Sequence, residues 1–267
     1  MDNVSLYWRF LRFLCRWQTI LQFKVRVHGV RKVPREGPVL LVCNHQSHMD
    51  PVLVSMALPR ESCYMGRDTL WANKWFARLI TSLNAFPVKR NTADLGAIKE
   101  SLRRLKNGMS LVVFPEGTRT PDGRIHPMLP GLASIAKKAL VPIVPVLIDG
   151  MYQAWPKGSP LPRTGNVIIQ YGELIRPAEY AGLSAEELVR LLRERLIRMQ
   201  HRLHQSLPER RLPWYTARPD VFGVEPPGAT VTPAPADDGT NLAGQKANLS
   251  GSRNRAPIPK RPGASAR

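Results

Sequence analysis

Residues 44–50, Asn-His-Gln-Ser-His-Met-Asp, carry the chain's clearest chemical signal. His45 and Asp50 stand five positions apart in a segment that directly follows the apolar run 38–43, Pro-Val-Leu-Leu-Val-Cys. That run is short, apolar and without alternation, the pattern of a buried strand, so His45 falls just beyond a strand's carboxyl end. Asp50 precedes Pro51 and reads as the N-cap of a helix through residues 51–58. A carboxylate there can also fold back across the loop and accept from one imidazole nitrogen of His45. The other nitrogen is then fixed as an acceptor, fit to take a proton from a hydroxyl. A plain helix cap beside a solvated His is the simpler alternative for these residues alone.

A second segment bears on that choice. Residues 110–114, Ser-Leu-Val-Val-Phe, form another buried-strand pattern and run straight into Pro115-Glu116-Gly117-Thr118-Arg119-Thr120. If the two strands are parallel neighbours, both loops lie outside their carboxyl ends, where open α/β sheets place ligands. Gly117 permits a tight turn close to a ligand, and Arg119 offers a planar fork for bidentate contact with phosphate. A surface turn with an exposed Arg is the competing description.

The two segments together resemble the glycerophospholipid acyltransferases, the family of 1-acylglycerol-3-phosphate acyltransferases, over roughly residues 25–210. Its first block, Asn-His-x-Ser-x-x-Asp, is matched by Asn44, His45, Ser47 and Asp50, and its third, Phe-Pro-Glu-Gly-Thr-Arg-Ser, by residues 114–119 with Thr120 in the Ser position. Met65-Gly66-Arg67, Pro87-Val88-Lys89-Arg90-Asn91 and residues 141–146 match weaker blocks. The resemblance implies transfer of an acyl chain from acyl-CoA or acyl-carrier protein to a lysophospholipid, with no cofactor and no metal. His45 would be the base and Asp50 its orienter. Arg119, Gly117, Glu116, Thr118, Arg67, Lys89 and Arg90 would surround the acceptor, with Glu116 holding either Arg119 or glycerol hydroxyls. Where the family often carries a Lys in Phe-Lys-x-Gly, this chain has Met128-Leu129-Pro130-Gly131, so one phosphate contact is missing or comes from elsewhere.

The chemistry also follows from the residues. A thioester is an activated donor, so transfer to an alcohol mainly requires deprotonating that alcohol and stabilising the oxyanion. Among nearby nucleophiles, Cys43 belongs to the apolar strand and Ser47 to its own loop, which favours direct attack over an acyl-enzyme. A zinc hydrolase using His45, His48 and Asp50 is the rival; no further His/Glu pair stands at ligand spacing, and His201 and His204 read as a solvated face of an Arg-rich helix.

The elements that must position these groups alternate. Asp94 caps a helix with Leu95, Ile98, Leu102 and Leu105 on one face, ended by Gly108; residues 132–139 form another, leading to a strand at Val141. Residues 167–171 read as a strand, and residues 184–205 as a long helix with Val189, Leu192, Leu196, Met199 and Leu203 inward. This order predicts an α/β fold, a single catalytic domain over residues 25–213 with a largely parallel central sheet flanked by helices.

Two appendages are expected. Residues 1–24 predict an amphipathic helix, with Leu6, Phe10, Phe13, Trp17 and Leu21 opposite Arg9, Arg12 and Arg16; three arginines argue against a membrane span and for a helix lying in the head-group plane. Packing on the protein's own core is the alternative. Residues 214–267, rich in Pro, Gly and Ala, predict a disordered tail. The net charge of +19 calls for anionic partners. Its concentration at residues 9–35 beside the aromatic helix favours an anionic membrane surface over nucleic acid. Three cysteines, Cys15, Cys43 and Cys63, suggest no disulfide framework, which places the protein on the cytoplasmic side of the cell membrane.

Overall fold

A computed structural model describes residues 10, 13, 17, 22–89, 94–207 and 210. Seven strands form one sheet: β1 (Phe23–His28), β2 (Val39–Cys43), β3 (Ser62–Arg67), β4 (Ala85–Val88), β5 (Ser110–Val113), β6 (Ile143–Asp149) and β7 (Gly165–Tyr171). Their order across the sheet is β1-β7-β6-β2-β5-β3-β4. The five strands β2 to β6 are mutually parallel, as the alternating pattern predicts, and β2 and β5 are direct neighbours. β1 and β7 pair parallel with each other, and β7 meets β6 antiparallel. A parallel return needs a crossover element of a dozen or more residues. Between β6 and β7 the only helix is the single turn Met151–Ala154, so the chain re-enters the sheet in the opposite sense.

Among the described residues, the α-helices that follow β1 are α1 (Asp50–Met56), α2 (Lys74–Ser82), α3 (Leu95–Lys106), α4 (Gly131–Ala139), α5 (Met151–Ala154), α6 (Pro177–Tyr180) and α7 (Ala185–Ser206). Because strand side chains alternate between faces, β2 divides into two sets. Leu40 and Val42 join Leu111, Val113, Leu105, Ile135, Leu192 and Leu196 beneath α3, α4 and α7. Val39, Leu41 and Cys43 join Leu53, Val54, Val112, Val144 and Met151 beneath α1 and α5. Every residue of β2, β5 and β6 is buried, which is why these strands read as unbroken apolar runs.

Three helices differ from their sequence patterns. Asp50 does not cap α1: the helix begins at Asp50 itself and its N-cap Met49 makes no side-chain bond. Asp94 does cap α3, accepting from the Ala97 N–H, but Leu95 faces solvent and the inward face is Ala97, Ser101 and Leu105. Ser101 is tolerated there because its hydroxyl donates to the Ala97 carbonyl one turn back. On α7, Leu192 and Leu196 are buried as the spacing predicts, joined by Leu188, while Val189, Met199 and Leu203 pack at the margin. His201 and His204 are buried, not solvated. The His204 Nε2 lies 2.8 Å from the Asp149 Oδ2, whose other oxygen accepts from Arg210. A buried His is affordable only with such a partner, and the partner lies at the end of β6.

Phe10, Phe13 and Trp17 are helical and more than half exposed, with the Phe13 and Trp17 rings edge to face at 6.1 Å. The rest of the residues 1–24 helix up to Leu21, its arginines included, and the tail 214–267 lie outside the described residues. Among the described residues no helix is long and apolar enough to cross a membrane.

Candidate active site

The site is assembled where β2 lets go of the sheet. Its last backbone pairing with β6 sets Cys43 against Val146. Beyond it the Asn44 side chain continues the ladder: its amide donates to the Ile148 carbonyl at 2.9 Å and its oxygen accepts from the Ile148 N–H at 2.8 Å. The backbone is thereby free to turn out of the sheet, and His45 is the first residue past the turn.

Asp50, fully buried, folds back over that loop. Its Oδ2 lies 2.8 Å from the His45 Nδ1 and accepts from the backbone N–H groups of Gln46 and Ser47. Three donors on one oxygen fix the carboxylate, and the carboxylate in turn fixes the ring. With Asp50 ionised, the proton of the imidazole belongs on Nδ1 and Nε2 is the acceptor. The Phe114 ring, 4.3 Å from the His45 ring between centroids and inclined at 30°, closes one side. The His45 side chain keeps 15 % exposure, enough to meet a substrate.

The loop after β5 grips the same residue by its backbone. Glu116 is buried and splits its carboxyl between two N–H groups, that of His45 at 2.9 Å and that of His126 at 3.0 Å. Thr120 donates its N–H to the His45 carbonyl at 2.8 Å. Both backbone groups of His45 are therefore held by residues 116–120. Burial pushes the Glu116 pKa up to about 8, overcoming the lowering pull of the two N–H groups. Through these two bonds Glu116 organises the loops. Gly117 has φ +69°, a left-handed conformation that favours glycine; a Cβ there would also meet the Leu129 Cδ1 at 2.7 Å, a contact the exposed Leu129 side chain can relieve.

Thr118 and Arg119 are half-buried within this anchored turn. Arg67 ends β3, paired with Val88 of β4, and Lys89 follows β4 with its N–H on Asp94. Since β2, β5, β3 and β4 are parallel and consecutive in the sheet, His45, Arg119, Arg67 and Lys89 emerge in that order along one carboxyl edge. Arg90 lies outside the described residues.

Several contributors escaped the sequence. Asn44 matched a motif but carried no assigned task. Gln46 is fully buried and accepts from the Tyr152 N–H, while the Tyr152 hydroxyl donates to the Pro121 carbonyl, lacing the loops after β2, β5 and β6. His126 pairs through Nε2 with Asp122 at 2.8 Å. Cys43 and Cys63 are buried free thiols; burial holds the Cys43 pKa well above the ordinary thiol value, which disfavours a thiolate nucleophile beside His45. Ser47 is buried and accepts within its own loop at 3.5 Å, from Met49. Among the described residues no three His, Cys, Asp or Glu side chains converge on a common metal position.

A model of the Acyltransferase family matches residues 24–149, the span from β1 to the end of β6 that contains both loops. The enzyme is an acyltransferase, similar to that family over this span. This acyltransferase is 28 % identical over 186 residues to the 1-acyl-sn-glycerol-3-phosphate acyltransferase of Bacillus subtilis (strain 168), an alignment spanning 68 % of this chain and 90 % of that one. It is 29 % identical over 188 residues to the enzyme of the same name from Cocos nucifera, covering 69 % of this chain and 58 % of that one. In structure it is similar to the 1-acyl-sn-glycerophosphate acyltransferase PlsC from Thermotoga maritima, with a TM-score of 0.64 at 29 % identity over 73 % of this chain and 78 % of that one. The acyltransferase therefore shares its mostly parallel sheet with that protein.

Proposed function

We propose that this acyltransferase moves a fatty acyl chain from an acyl thioester, acyl-CoA or acyl-carrier protein, to the free hydroxyl of 1-acylglycerol 3-phosphate, forming phosphatidate for phospholipid biosynthesis at the cytoplasmic face of the cell membrane. The observation that carries the reading is the His45 Nδ1 to Asp50 Oδ2 bond of 2.8 Å at the head of a row of cationic side chains. The names of the relatives support the choice of acceptor.

The acceptor's phosphate is bound by the Arg119 guanidinium, with Arg67 and Lys89 adding positive potential outward along the edge. Its hydroxyl donates to the His45 Nε2. As the proton passes to the ring, the oxygen attacks the thioester carbonyl carbon, and the imidazolium is stabilised by the Asp50 carboxylate. The tetrahedral oxyanion collapses, the carbon–sulfur bond breaks, and the departing thiolate takes the proton from His45. One base serves both halves of the reaction, and no acyl-enzyme is needed because the thioester is already activated.

The test is an assay of purified protein with labelled acyl-CoA and acyl-carrier protein against 1-acylglycerol 3-phosphate, glycerol 3-phosphate and lyso-lipids with other head groups, each with and without chelator. The expected result is chelator-insensitive phosphatidate formation with 1-acylglycerol 3-phosphate as the best acceptor. Preference for an acceptor without phosphate, or loss of activity with chelator, would overturn it.

A further inference from the structure

The crossover between β3 and β4 departs from the packing of the other long helices. α3 turns Ala97 and Leu105 into the core, and α7 turns in Leu188, Leu192 and Leu196. α2, Lys-Trp-Phe-Ala-Arg-Leu-Ile-Thr-Ser, has no fully buried residue. Trp75 is 78 % exposed, Phe76 43 % and Leu79 44 %. At the α-helical spacing these three side chains fall within an arc of about 100°. Leu70, in the turn before the helix, is exposed as well. An apolar surface of this kind left open to water marks a contact site.

The rim of the surface indicates what it contacts. α2 contains no Asp or Glu, and Lys74 and Arg78 stand exposed beside the apolar arc. The Arg78 guanidinium lies 5.5 Å from the centre of the Trp75 ring, so a cation is held against the most exposed aromatic face. A Trp-led apolar arc whose only charged neighbours on the helix are cations complements a layer of anionic head groups above hydrocarbon. The fold adds a positional argument: Arg67 ends β3 on the edge that carries His45, and residues 68–72 lead from it directly into α2.

We infer that α2 is a lipid-docking helix, with Trp75, Phe76 and Leu79 entering the interface of an anionic bilayer and Lys74 and Arg78 meeting its head groups. It is a contact additional to the aromatic residues of the N-terminal helix. The inference rests on the reading of the acceptor as a lyso-lipid, which resides in a bilayer and must reach the His45 edge from it.

The test uses the full-length protein and vesicles of phosphatidylcholine with phosphatidylglycerol. Cys43 and Cys63 are buried, so in a Cys15→Ser background a Leu79→Cys substitution directs an environment-sensitive fluorophore to α2, and Gln205→Cys, at the exposed end of α7, serves as control. The Leu79 label should shift to the blue on vesicle binding and be quenched by lipids brominated in their acyl chains, while the Gln205 label does neither. A second protein, Trp75→Ser with Phe76→Ser and Leu79→Ser, should partition to these vesicles about tenfold more weakly than the unaltered chain. Its turnover of a water-soluble, short-chain 1-acylglycerol 3-phosphate should be unchanged.

A Leu79 label that stays in water on floated protein overturns the inference, as does unchanged partitioning of the triple variant. So does loss of self-association by sedimentation without loss of vesicle binding, which would assign the surface to a second copy. If neither protein acylates the short-chain acceptor, the reading of the reaction falls, and the label and flotation readouts still decide the docking.

Discussion

At the scale of single residues the site is a matter of who holds whom. Asp50 spends one oxygen on the His45 Nδ1 and two loop N–H groups. Asp50→Asn keeps the shape and removes the charge that makes Nδ1 the protonated nitrogen, so kcat should fall by about 10²–10⁴-fold. Because Asp50 does not cap α1, the same change should leave the thermal transition close to that of the unaltered protein, and measuring kcat with Tm separates the two. Glu116 predicts a pH effect. Its carboxyl titrates at about 8 in the fold against 4.5 in the unfolded chain. Between those values the folded protein keeps a proton that the unfolded chain has released. Stability from this group is complete below about 4.5 and declines as pH rises to about 8. Glu116→Gln removes that slope, so denaturant midpoints of the two proteins should diverge in slope across this range. It should also slow turnover, since a Gln amide presents an N–H₂ to one of the two backbone donors now held by the carboxyl. Parallel pH dependences would rule out a buried, titrating Glu116.

At the scale of elements, three parallel strands bring together loops far apart in the chain, and side chains complete what the backbone ladder leaves open. Asn44 is the clearest case. Asn44→Ala orphans the N–H and carbonyl of the buried Ile148, at about 1–3 kcal/mol per group, and releases the turn that carries His45. Chemical denaturation should show the stability loss, and kcat should fall with it; a stable, fully active variant would contradict the role. The elements also show where sequence was sufficient. β2, β5 and β6 were legible because burial on both faces writes an unbroken apolar run. The His45 and Asp50 pair was legible because both residues sit in one loop. The grip of Glu116 and Thr120 on His45 was not, since it exists only once β2 and β5 are paired. The buried His204 was misread for the same reason: its partner Asp149 stands on another element. α2 left no strand-like or catalytic signature, and its exposed face emerges only from what the sheet fails to cover.

At the scale of the whole molecule, the parallel sheet sets residues from four separate loops in a row along one edge. His45, the proposed base, follows β2; Arg119, the proposed phosphate ligand, follows β5; Arg67 ends β3 and Lys89 follows β4. A net charge of +19 attracts anions in general, but charge alone does not orient them. Arg119→Lys retains the charge and loses the bidentate fork, so the acceptor KM should rise about tenfold or more while the donor KM changes little; an unchanged acceptor KM would make Arg119 structural. The central claim, direct transfer driven by one base, is tested most directly by His45→Ala. With saturating acyl thioester and 1-acylglycerol 3-phosphate, this variant should bind the acceptor with nearly unaltered affinity and form phosphatidate at least about a hundredfold more slowly than the unaltered protein. Turnover by His45→Ala at more than a few hundredths of the unaltered rate, about one part in thirty or above, would contradict general-base catalysis by His45.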